Sequence, residues 1–192
     1  MLFFKNFKNV FKKSLDCIKS NEFNELISNI KRVQQNKGRI FFFGIGGSAA
    51  NCSHAVNDFR KLLNIESYSP CDNFSEISAR INDDGWNSSF TNWLKVSNPT
   101  VKDILFFLSV GGGDYKKKVS VNLIHLANFA KNKNIRMLSI VARKNSFLQK
   151  NTICLLLKID KVFLAPVAES LQVFVWHAIV THPDLKKNNT KW

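Results

Sequence analysis

Apolar positions recur at helical spacing through the first 36 residues: Phe7, Val10, Phe11, Leu15 and Ile18, then Phe23, Leu26, Ile27, Ile30 and Val33. The pattern predicts one bent helix or two, with Asn21 capping the second. The period then changes. Residues 40–43, 104–108, 137–141 and 153–157 form short runs that are apolar without alternation, as strands buried on both faces of a parallel sheet are. Helices are predicted over 48–63, 87–96, 116–131 and 167–181, and 65–69 reads as a weaker strand. Alternating βα units behind a leading helical segment predict an α/β fold, a three-layer αβα sandwich around a doubly wound parallel sheet. No repeat, low-complexity tract or linker interrupts the pattern, so residues 1–192 read as a single domain.

Composition agrees with a folded core: 192 residues, 45% of them hydrophobic. No apolar run is read as approaching the roughly 20 residues that cross a bilayer, and no membrane partner is expected. The opening residues lack a long apolar stretch and a small-residue cleavage site, so a mature start is expected. Cys17, Cys52, Cys71 and Cys154 show no Cys-x-x-Cys spacing, which predicts reduced thiols and a cytoplasmic location. The formal charge of +14 comes from scattered lysines with small clusters at Lys12-Lys13, Lys116-Lys117-Lys118 and Lys186-Lys187. No arginine-rich recognition helix or stacking motif accompanies them. They read as a solvated surface that steers anionic substrates, with no nucleic-acid partner expected.

Candidate chemistry concentrates after the first strand. The run ends in Gly44-Ile-Gly-Gly-Ser48, where glycines permit tight angles and close ligand approach. Ser48 is expected at the N-cap of the following helix, whose free N–H groups suit an anion such as phosphate. His54 and Asp58 are four residues apart and share a face of that helix, either as a surface pair or as a functional one. His177 lies in the apolar stretch Val175-Trp-His-Ala-Ile, as a core histidine or a functional one. His182, before Pro183, reads as a capping residue, and His125 as structural.

Several ordered motifs resemble the sugar isomerase (SIS) domain family, and within it the phosphoheptose isomerases. That group has a strand, Gly-Asn-Gly-Gly-Ser and a helix carrying His and Glu four residues apart. Here these are Gly44 to Ser48, His54 and Asp58. Asn82-Asp-Asp-Gly-Trp86 with Phe90 is similar to the family's Asn-Asp-Phe/Tyr-Gly-Phe. Asp103 to Ser109 leads into a small-residue turn, and Glu169 and His177 have the spacing of the family's Gln and His.

The resemblance implies an isomerase that interconverts sedoheptulose 7-phosphate and an aldoheptose 7-phosphate. It implies a homotetramer, with residues 1–36 packing between subunits and active sites at subunit boundaries. Asp58 would be the base and His177 the acid. His54, Asp58, Glu169 and His177 would hold one zinc ion per subunit, since two imidazoles and two carboxylates suit that metal. Gly46, Gly47, Ser48, Asp72, Asn82, Asp83, Ser109, Gly111 and Gly112 would contact the phosphorylated sugar. Glu169 and His177 are eight residues apart, a rise of about 12 Å on a regular helix. Both reach one ion only by leaning together or if Glu169 comes from a neighbouring subunit.

Three departures bear on substrate. The family turn Ser-Thr-Ser-Gly-Asn-Ser is Ser109-Val-Gly-Gly-Gly-Asp114 here, so one serine survives and a carboxylate enters. A glycine-rich turn still forms a backbone anion nest, with Lys116 to Lys118 placed to offset Asp114. Ile45 replaces the family Asn, and Asp58 is one methylene shorter than Glu. The alternative reading is a non-catalytic SIS protein that binds a sugar phosphate as regulator or scaffold.

Overall fold

The computed structural model describes residues 2–190. Two N-terminal helices, α1 (Leu2–Asp16) and α2 (Ser20–Gln35), precede β1 (Ile40–Phe43) and α3 (Gly47–Leu63). Then come β2 (Ser67–Tyr68), α4 (Phe74–Asp84), α5 (Ser89–Val96), β3 (Ile104–Ser109) and α6 (Val121–Asn132). The chain ends with β4 (Arg136–Val141), α7 (Phe147–Asn151), β5 (Ile153–Leu156) and α8 (Leu164–Thr181). The sheet order is β2-β1-β3-β4-β5 and every pairing is parallel. Strand order reverses between β1 and β3, and the turns after these two strands open where doubly wound sheets take their ligands.

Side-chain alternation along the strands builds a core on each face. Phe42, Phe106 and Ile140 join α2, α3 and α8 on one side. Phe41, Phe43, Leu105 and Phe107 join α4, α5, α6 and α7 on the other. Phe42 and Phe106 are register partners with stacked rings 5.4 Å apart, and Phe59 from α3 meets Phe42 edge-on at 4.9 Å. Each buried phenylalanine contributes on the order of 2–3 kcal/mol of apolar transfer energy. The four cysteines are free thiols.

The predicted sandwich is present, with local corrections. The leading segment is two helices, and Lys19 rather than Asn21 caps α2. The helix expected at 116–131 starts at Val121, because Asp114 and Val119 bridge across a short loop. The strand expected at 65–69 shortens to two residues at the sheet edge. Helices α4 and α7 escaped the periodicity reading; α4 is amphipathic but buries only Ile77 fully, and α7 spans five residues. The stretch Lys161–Thr181 is long and apolar enough to cross a membrane by composition, with mean hydropathy 1.5, contrary to the expectation that no run is. In the fold its Val167, Leu171, Val175, Trp176 and Ile179 are buried in the core beside α3.

Candidate active site

The turn from β1 into α3 is tight. A Cβ on Gly44 would lie 2.5 Å from the Ser48 carbonyl oxygen, so only glycine permits this approach of strand end to helix start. Gly46, with φ of 62°, occupies the N-cap position, and Ser48 lies buried inside the first turn instead of capping it. The correction has a simple cause: the glycine accepts the first amide bonds, from Ala49 and Ala50, through its own carbonyl.

The α3 N-terminus already faces a carboxylate. A Cβ on Gly47 would lie 2.5 Å from the Glu169 carboxylate, so Glu169 on α8 rests directly over the helix start, where the helix dipole favours negative charge. Asn51 donates to the Glu169 carbonyl at 2.9 Å and to Gln172 Oε1 at 3.1 Å, which ties the two helices together.

About two turns further along, α3 and α8 bring His54, Asp58 and His177 together. Asp58 Oδ2 lies 3.8 Å from His54 Nε2 and 3.7 Å from His177 Nε2. One ligand atom from each residue falls within 4.8 Å of the others, a set suited to a metal ion. Asp58 Oδ1 accepts from Asn57 Nδ2 at 2.8 Å, leaving Oδ2 to face both histidines. Trp176 is fully buried and orients both imidazoles: its ring sits 4.6 Å from His54 and 3.8 Å from His177. Burial holds His177 below the ordinary imidazole range; Asp58 pulls it back up and His54 pushes it down. A depressed value keeps its lone pair available as a ligand or base. The side chains of His54 and His177 are about half exposed (54% and 46%), whereas that of Asp58 is 16% exposed.

Among the described residues the cluster contains three of the four expected ligands, and Glu169 is not in it. The eight-residue rise along α8 carries Glu169 to the Gly47 end of the helix pair. Asp72 ends a short helical turn beside α3, exposed. Asn82 and Asp83 lie exposed on the last turn of α4, where Asn82 donates to Asp83 at 2.8 Å, and the structure does not bring them to the histidines. His182 caps α8, as expected, with its Nδ1 accepting from the Asp184 amide at 3.2 Å. His125 is exposed on α6 and faces Tyr115.

The turn after β3 holds Ser109, Gly111 and Gly112. Ser109 Oγ accepts the Gly112 N–H at 3.0 Å, and Gly112 and Gly113 have φ of 64° and 82°. Asp114 is offset by Arg143 at 2.8 Å, not by the lysine side chains; Lys117 contributes only its backbone N–H, at 3.1 Å. Ile45 packs against the core face built by Phe41 and Phe43, which accounts for an apolar residue where the family has Asn. A cleft of about 880 Å³ opens between α1, α2 and the ends of β4 and β5. None of the clustered histidines or Asp58 lines it, and the ligand chemistry argues for the α3–α8 face over cleft size.

Sequence reasoning missed Trp176, Arg143 and the Asn51–Gln172 tie. The tryptophan's place beside His177 in the sequence was the available signal. Arg143 had one too, two residues beyond a strand end on the ligand side of the sheet.

Compared by sequence, the chain matches no protein-family model and no curated protein. Its fold is similar to that of a phosphoheptose isomerase from Neisseria gonorrhoeae, with TM-score 0.79 and 16% identity over 93% of this chain and 94% of that one. A phosphoheptose isomerase from Francisella tularensis gives TM-score 0.76 and 15% identity over 93% and 92%. The Vibrio vulnificus NanR protein complexed with ManNAc-6P gives TM-score 0.61 and 13% identity over 92% of this chain and 60% of that one. The five-stranded parallel sheet, its helical layers and these likenesses together identify the fold of this chain as that of a sugar isomerase (SIS) domain.

Proposed function

We propose that the protein is a metal-assisted aldose–ketose isomerase of a phosphorylated sugar, with sedoheptulose 7-phosphate and D-glycero-D-manno-heptose 7-phosphate as its substrate pair. The observation that carries this reading is the convergence of His54, Asp58 and His177 from two helices onto one point. The fold shared with phosphoheptose isomerases supports it.

Ketose-to-aldose conversion removes a proton from C1, places one on the C2 oxygen to give an enediol, then returns a proton to C2 as one leaves the C1 oxygen. Asp58 carries the carbon-bound proton, because its carboxylate is the least exposed group of the three and is held by Asn57. His177 exchanges the oxygen-bound protons, its Nε2 lying 3.7 Å from Asp58 Oδ2 on the same face. Zinc held by His54, Asp58 and His177 would polarise the carbonyl in place of the His177 proton, because a nitrogen bound to metal has none to give. Phosphate lies at the turn after β3, since Glu169 already faces the α3 N-terminus.

The half-exposed histidines need cover, because water competes with every charge in an open site. A homotetramer that closes one subunit's α3–α8 face with another subunit supplies that cover. The exposed Leu2, Phe3 and Phe4 on α1 are consistent with burial in an assembly. Zinc-loaded protein is expected to convert sedoheptulose 7-phosphate, with Asp58→Asn and His177→Ala each lowering turnover by about 10²–10⁴-fold. Full activity in both variants would sink the assignment. The NanR likeness keeps a second reading in view, sugar-phosphate sensing. Tight binding without turnover would favour it.

A further inference from the structure

Read as an isomerase of phosphorylated sugars, the chain must hold an anion in a turn that keeps one hydroxyl group, Ser109, and has gained the Asp114 carboxylate. Resting on that reading, we propose that Arg143 is the phosphate-binding residue of the turn and that Asp114 holds it in position.

The strand order delivers Arg143 to the right edge. It lies two residues beyond β4, the parallel neighbour of β3, so both chain ends emerge on the ligand side of the sheet. Backbone bonds fasten the two segments: Ala142 N–H to the Val110 carbonyl at 3.1 Å, and Leu148 N–H to the Gly112 carbonyl at 2.9 Å. Arg143 Nη1 donates to Asp114 Oδ2 at 2.8 Å. Among the described residues its Nε and Nη2 make no other hydrogen bond, and the side chain is 44% exposed. A guanidinium anchored through one nitrogen keeps the rest of its planar fork for a second oxyanion, the geometry that recognises phosphate.

The turn leaves room for that anion. A Cβ on Gly111 would meet nothing within 4 Å, so its backbone borders open space. The same turn without Arg143 would present the Asp114 carboxylate to an incoming phosphate and repel it.

The probe is inorganic phosphate, measured by calorimetry on the full chain, so that binding is read independently of turnover. Arg143→Ala is expected to weaken phosphate at least tenfold, and Arg143→Lys several-fold, because a point charge replaces a fork. Asp114→Asn combined with Arg143→Ala is expected to bind better than Arg143→Ala alone, because the repulsion is gone, and still several-fold weaker than wild type, because the fork is missing. Recovery of wild-type affinity in the double variant would show that Arg143 only neutralises Asp114 and would overturn the proposal. So would wild-type protein that binds no phosphate, or Arg143→Ala that binds it normally. Arg143→Lys serves if the alanine variant fails to fold. Arg143-dependent phosphate binding without isomerisation would leave this assignment standing and remove the isomerase reading; turnover with Arg143-independent binding would do the reverse.

Discussion

Replacing His177 with alanine tests the metal centre without relying on catalysis. Zinc bonds to nitrogen and oxygen of about 2.1 Å place tetrahedral ligands about 3.4 Å apart. The Asp58 to His54 and His177 separations are 3.8 and 3.7 Å, and the whole set lies within 4.8 Å. Two edges therefore need to close by about 0.3–0.4 Å and the third by at most about 1.4 Å, within reach of side-chain rotation on exposed imidazoles. A ligand at one hundred times its Kd stabilises the folded state by about 2.7 kcal/mol. For a chain of this size that raises Tm by about 5–11 °C. If loss of one ligand weakens zinc a hundredfold, the same concentration gives about 0.4 kcal/mol and a rise of only about 1–2 °C. The assay is thermal unfolding of chelator-treated protein against zinc, with His125→Ala as the control that keeps the full shift. Equal shifts in wild type and His177→Ala, or none in wild type, would refute the site.

Three further outcomes follow from the fold. Burial raises the Asp103 pKa, but the Arg39 guanidinium and the Thr100 and Arg39 amides outweigh it and leave the carboxyl below its ordinary range. Its contribution to stability is thus full above about pH 4 and lost as pH falls through the folded value, which acid unfolding of Asp103→Asn against wild type will show. Arg39→Ala, which removes the guanidinium from a carboxylate only 3% exposed and leaves it the two backbone amides, is expected to cost about 1.5–3 kcal/mol in denaturant titration. Phe42→Ala, emptying the ring contacts with Phe59 and Phe106, is expected to cost about 3–5 kcal/mol while leaving the zinc response of the folded fraction intact.

The sheet was legible because its strands announce themselves: Ile40 to Phe43 is apolar at every position, and only a strand covered on both faces needs that. His54 and Asp58 were legible as a pair by helical spacing. Their meeting with His177 was expected only through the family resemblance, since it depends on the packing of α3 against α8 across more than a hundred residues of intervening chain. Glu169 shows the reverse failure. Its spacing matched a ligand, yet the pitch of α8 sets it over Gly47, where the start of α3 offers a favourable place for its charge. Arg143 stayed hidden because an arginine after a strand reads as a solvated end until Asp114 is seen beside it. The lysine cluster drew attention to the right carboxylate with the wrong partner.

Incubating the zinc-loaded protein with sedoheptulose 7-phosphate in deuterium oxide tests the central claim most directly. The account predicts an aldoheptose 7-phosphate carrying solvent deuterium at C2, with the label and the product both lost in Asp58→Asn. Folded, zinc-loaded protein that forms no product and exchanges no carbon-bound hydrogen would contradict it.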